Sequence, residues 1–156
     1  MFSYFAQFVT TPTAANRMWP VTSQSISDAE ARLGFTIPSQ LKRFWEEAGS
    51  GFYAQGTSDK EWDRSLVNRI VGPRSAVDLL LDPTNPAAPA EGFVDDVLPF
   101  FDTGENTYLV LCPFSDNPNS VYWPDGEELI SDSLEEFFAK LQQRAAFYRG
   151  DSSSAG

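Results

Sequence analysis

Histidine is missing from this chain. Its absence removes Ser-His and Cys-His nucleophile pairs, imidazole acid–base chemistry and nearly every usual zinc site. A single Cys cannot close an internal disulfide, which fits a reducing compartment, and a cytoplasmic location is expected. No apolar run approaches the length that crosses a bilayer. The first residues, MFSYFAQFV, lack the basic region of a signal peptide. Lys and Arg are also missing from Ser75 to Ala139, where fourteen of the 22 acidic residues fall. The formal net charge of −11 at pH 7 arises there, and the other segments are near neutral or mildly basic. A field of that sign repels nucleic acid and anionic membrane, so neither is an expected partner, and it attracts cationic proteins. The plainer consequence of such charge is solubility.

What is present suffices for one domain. A chain of 156 residues with 13 Phe and 4 Trp can build a core without metal or disulfide. The spacing predicts a short helix over residues 2–9, broken at Thr11-Pro12-Thr13. Trp19-Pro20 reads as an extended approach. A helix capped by Thr22 or Ser23 carries Ile26, Ala29 and Leu33 on one face and stops at Gly34. Pro38 opens another helix, with Leu41, Phe44, Trp45 and Ala48 inward, which ends at Gly49-Ser50-Gly51. Residues 52–54 and 66–71 read as strands, and Pro73 to Leu81 as an inserted helix. The three prolines of DPTNPAAPAEG, residues 82–92, predict an extended surface loop. Strands follow at 97–101, 107–112, 121–123 and 127–130, separated by turns rich in Gly, Asn, Asp and Pro. A closing helix carries Leu134, Phe137, Phe138 and Leu141 on one stripe. Ser131 or Asp132 is its expected cap, with Glu135 closing a capping box on Asp132.

That order is an α+β layout. It implies an antiparallel or mixed sheet meander with two N-terminal helices, one inserted helix and a C-terminal helix. One sheet face is expected to pack on helices and the other to stay partly open. Residues 1–23 read as an extension packed on the domain, 24–147 as the domain, and 148–156 as a flexible tail.

The chemistry-bearing signals are weak taken singly. Cys112 ends an apolar strand far in sequence from any base, which suits a buried thiol rather than a reactive one. Asp95-Asp96 and Glu127-Glu128 are paired carboxylates. Sequential strand residues face opposite ways, so such pairs make poor two-acid sites. DTGEN at residues 102–106 has too few oxygens for a calcium loop and reads as a turn. GSGF lacks the Lys of a phosphate loop. No catalytic residue, metal ligand or cofactor is assigned. Trp62, Tyr122 and Trp123 either fill the core or anchor an interface. Alternation lets at most one of Tyr122 and Trp123 reach the open face.

Taken in order, four segments resemble the SUKH superfamily. They are Ala29 to Pro38 followed by Leu41, Phe44 and Gly49-Ser50-Gly51; Ile70 to Val77; Leu98 to Tyr108; and Val121-Tyr122-Trp123 with Ile130 to Leu141. The resemblance spans about residues 24–142. It implies an α+β domain that is not an enzyme. Bacterial members are commonly immunity proteins that bind and neutralise a cognate toxin domain, often a nuclease, and fungal members are regulatory interaction proteins. The resemblance implies no fixed contact residues. Charge and turn position select Asp95, Asp96, Asp102, Glu105, Asp116, Asp125, Glu127 and Glu128, with Trp62 and Trp123 as anchors, as a toxin-binding surface on a monomer. A regulatory or scaffold module is the alternative. A carboxylate-dependent hydrolase is a further one, and it would need a cleft with two acids of divergent pKa.

Overall fold

Phenylalanine spacing starts the fold. In the computed structural model, which describes residues 2–54, 67–104 and 107–149, helix α1 (Ser3–Thr10) turns Phe5 and Phe8 inward. Phe2 just before it is buried as well, and its N–H donates to the Glu47 carboxylate at 2.8 Å. Helix α2 (Ser23–Leu33) begins where the Thr22 hydroxyl accepts the Ser25 N–H at 3.1 Å, and Gly34 closes it. Helix α3 (Ser39–Glu47) starts one residue past Pro38 and buries Leu41, Phe44 and Trp45. The Trp45 indole N–H donates to the Val71 carbonyl at 3.0 Å, so this large side chain is buried with its polar atom satisfied.

The described strands make one seven-stranded sheet whose spatial order equals its chain order, with every neighbouring pair antiparallel. They are β1 (Arg17–Trp19), β2 (Ser50–Phe52), β3 (Arg69–Ile70), β4 (Leu98–Gly104), β5 (Thr107–Leu111), β6 (Val121–Tyr122) and β7 (Leu129–Ser131). Helix α4 (Pro73–Leu81) is inserted between β3 and β4, with Pro73 in its first turn. Helix α5 (Leu134–Gln143) closes the domain, followed by a 3-10 turn at Phe147–Arg149. The α+β layout expected from the sequence is the one observed.

Several local expectations need correction. Gly49-Ser50-Gly51 does more than end a helix, because it opens β2 and receives β1. A Cβ on Gly49 or Gly51 would sit 2.0 Å from the carbonyl oxygen of Trp19 or Arg17, so only glycine admits β1 so closely. Strand β3 is shorter than residues 66–71, since Asn68 adopts φ +48° and interrupts the extended run. Its buried side chain donates to the Ala145 carbonyl at 2.9 Å and accepts from the Tyr148 hydroxyl. Tyr148 is buried, while residues 150–156 of the expected tail lie outside the described residues. The α5 cap is Ser133, whose hydroxyl accepts the Glu136 N–H at 3.0 Å. The cap and its acid thus fall one residue later than expected, and Glu136 accepts the N–H of Asp132, the residue before the cap, at 3.4 Å.

Aromatic rings hold the layers together. Phe44 of α3 stacks on Phe138 of α5, centroids 4.2 Å apart. Phe2 and Phe5 meet both rings edge-on or tilted. On the sheet, a bulge between Pro99 and Phe101 inserts Phe100 into β4. Consecutive residues then reach the same partner, with Phe100 and Phe101 lying 5.6 and 5.2 Å from Phe137. The opposite sheet face carries the cross-strand partners Pro99 with Val110 and Asp102 with Tyr108. The loop after α4 lies over it: the Tyr108 hydroxyl donates to the Ala87 carbonyl at 2.7 Å, and Phe93 meets the Tyr108 ring. That face is therefore covered in the middle, while among the described residues Phe52, Arg69, Asp102 and Tyr122 are half-buried and Arg17, Trp19 and Leu129 towards its edges are exposed.

Truncating the stacked ring, Phe138→Ala, is expected to cost about 3–5 kcal/mol. Urea unfolding followed by intrinsic fluorescence measures it. A loss below about 1 kcal/mol would mean the stack is not central to stability.

Candidate functional site

At the C-terminal end of α4 the chain leaves the helix at Leu81 and turns through Asp82. The Asp82 carboxylate accepts the Thr84 hydroxyl at 2.6 Å and the Thr84 N–H at 2.9 Å. Those two bonds, the hydroxyl's first, hold its carboxyl below the ordinary range. The Asn85 side chain likewise accepts the Ala87 N–H at 2.9 Å. These side-chain turns and the prolines give the loop a defined path, and Tyr108 pins it to the sheet.

An open groove of about 850 Å³ runs between this loop, the ends of α2 and α4, and the start of β4. Its floor includes buried Leu79 and Val97. Its apolar edges are conspicuously exposed: Leu81 at 48%, Val94 at 50% and Phe114 at 63%. Phe114 stands on the β5–β6 loop and is braced edge-on by Phe35, centroids 5.1 Å apart. Asp82, Glu91, Asp95 and Asp96 rim the groove. Among the described residues no Lys or Arg makes an ion pair with any of these four.

Of the residues selected from sequence, Asp95 and Asp96 are exposed on this rim. Asp125, Glu127 and Glu128 occupy the β6–β7 turn, where the Asp125 carboxylate accepts the Glu127 and Glu128 N–H groups at 2.9 and 3.1 Å. Those bonds lower its carboxyl pKa. The turn folds back against the start of β4, so that a Cβ on Gly126 would meet Val97 at 3.2 Å. Two acidic segments some thirty residues apart thus meet through Val97 and Gly126. Asp116 is exposed two residues past Phe114. Asp102 lies apart, half-buried on the covered sheet face opposite Arg69 and Tyr108. Trp123 is half-buried, its ring 6.4 Å from Tyr148. Trp62 and Glu105 lie outside the described residues. Cys112 is half-buried, and burial first, then the Asp125 charge, raises its thiol pKa. Among the described residues no three His, Cys, Asp or Glu converge on a point a metal ion could occupy. Sequence reasoning missed Leu81, Val94, Phe114, Asp82 and Glu91. The one available signal was Phe114 itself, a large apolar residue inside a turn-forming segment.

A model of the SMI1 / KNR4 family (SUKH-1) matches residues 20–140. The curated relative "Immunity protein YxxD" of Bacillus subtilis (strain 168) is 28% identical over 138 residues, which cover 85% of this chain and 88% of that protein.

Asp102 yields a test of the electrostatics. Burial raises its carboxyl pKa, and the Gly104 N–H at 2.9 Å and the Arg69 charge only partly offset that. A carboxyl raised by folding favours the folded state when protonated. Its contribution is present in acid and lost as pH rises through the folded-state value. Asp102→Asn is therefore expected to be more stable than the parent at neutral pH, with the gap narrowing as pH falls through the raised folded-state value and closed below about 4. Urea midpoints from neutral pH down to about pH 3 measure this, and a gap that does not narrow rules the account out.

Proposed function

The chain belongs to the SMI1 / KNR4 family (SUKH-1), and from that premise we propose that it is an immunity protein that binds and neutralises a cognate toxin domain. The observation that carries this reading is the acidic surface at one end of the sheet, where carboxylates without cationic partners among the described residues surround exposed apolar side chains. The name of the Bacillus relative points the same way. The mechanism is occlusion by binding, without chemistry on a substrate. The family match and the name of the relative support a non-enzymatic role. The site of action is the cytoplasm of the toxin-producing cell, with the protein acting as a monomer.

The partner is a basic domain, with nucleases the leading class. Complementary charge speeds encounter toward roughly 10⁸ M⁻¹s⁻¹ at low salt. Exposed ion pairs add only about 0–1 kcal/mol each, so slow release has to come from buried apolar contact.

The test is coexpression with the neighbouring reading frames and isolation of the toxin that copurifies. Replacing Asp95, Asp96, Asp125 and Glu127 together by Lys is then expected to slow association at least about tenfold at low salt and to flatten its salt dependence. Stopped-flow binding measures both. A folded variant with unchanged rate and salt dependence excludes electrostatic docking on this surface.

A further inference from the structure

The groove's chemistry is narrower than "acidic surface". We propose that it takes a basic amphipathic segment of the partner: one large apolar side chain seats between Leu81, Val94 and Phe114, and Lys or Arg on either side meets the carboxylate rim. The partner's identity as a toxin rests on the reading above, whereas the groove's preference does not.

Three observations select this occupant. The apolar edges are about half or more exposed, and Phe114 is braced by Phe35 rather than turned into the core. Grouped exposed apolar residues ringed by polar ones mark interaction sites. The second observation is the rim. Asp82, Glu91, Asp95 and Asp96 have no cationic partner among the described residues. A purely apolar ligand would strip water from these carboxylates without replacing it, and an anionic ligand would be repelled. A second copy of this chain in a two-fold contact would set rim against rim. The third is form. The walls are the end of α4, the start of β4 and a loop fixed by Tyr108, so the groove is already shaped when free. Such a groove suits a short helix or extended segment read by its anchors.

The probe is a synthetic Lys/Leu peptide with its leucines at i, i+3, i+4 and i+7. A peptide of equal charge with Ser replacing Leu is the control. Amide shifts are expected at residues 79–82, 91–96 and 113–115 on adding the Lys/Leu peptide. Phe114→Ser is expected to weaken that peptide by about tenfold or more. It should leave the Lys/Ser peptide unaffected. Leu81→Ser should act in the same direction, and Trp19→Ser, at an exposed position outside the groove, should change neither. The replaced side chains are about half or more exposed, and melting temperatures well above the assay temperature confirm that each variant is folded.

Equal binding of the two peptides, shifts confined to other faces, or no effect of either groove variant overturns the proposal. Self-association of the free protein that Phe114→Ser abolishes also overturns it, by giving the groove to a second copy. If the peptide results hold while no toxin is neutralised, the immunity reading falls alone. If toxin is neutralised and the peptide results fail, the groove proposal falls alone.

Discussion

The face-to-face contact of Phe44 with Phe138 is the joint on which the rest of the structure depends. It locks α3 to α5, elements almost a hundred residues apart in sequence. Phe2, just before α1, and Phe5 within it close over the pair, and Phe100 meets Phe138 from the sheet. Every layer therefore touches one ring cluster. Edge-on and offset ring pairs are worth about 0.5–1.5 kcal/mol each beyond their buried area, and here they share members, so they act together. The bulge at Phe100 serves the same cluster by letting two neighbouring residues of β4 face one way.

With the interior consolidated by rings, charge is free to be arranged on the outside. The ion pairs observed among the described residues all join helices or lie within them: Arg32 with Asp78, Lys42 with Glu30, Arg43 with Glu47 and Lys140 with Glu136. The loop after α4 and the β6–β7 turn carry acids only. The helices mix charges of both signs, while the loop and turn at one end of the sheet carry one sign alone. Asp82 and Asp125 spend their carboxylates on nearby N–H and O–H donors, which shapes the turns without cancelling the charge.

The helices were legible in the sequence because their apolar spacing is regular and their boundaries carry Thr22, Gly34 and Pro73. Strand β1 showed only as an extended approach at Trp19-Pro20, since three residues with one buried side chain are too short a run for alternation to identify. Its place is set by the glycines of β2, a long-range cause that local pattern cannot express. Asn68 shortened β3 for a similar reason, through partners at Ala145 and Tyr148. In the candidate site the acids stood out because bases are missing around them. Leu81, Val94 and Phe114 did not, because they belong to separate segments and line one groove only once the loop is laid across Tyr108. Asp102 shows the converse: it looked like a turn acid, and the register of β3, β4 and β5 drew it into the covered face.

The manner in which that proline-bearing loop is fastened has an evolutionary consequence. It hangs from one phenol and one ring rather than from strand pairing. Lengthening such a segment costs little, about 0.6 kcal/mol for each doubling. Insertions between its anchored residues can accumulate at little cost, whereas Ala88 and Phe93, which pack on the core, are constrained. The outer edge of the domain can in this way be reshaped while the same scaffold is inherited.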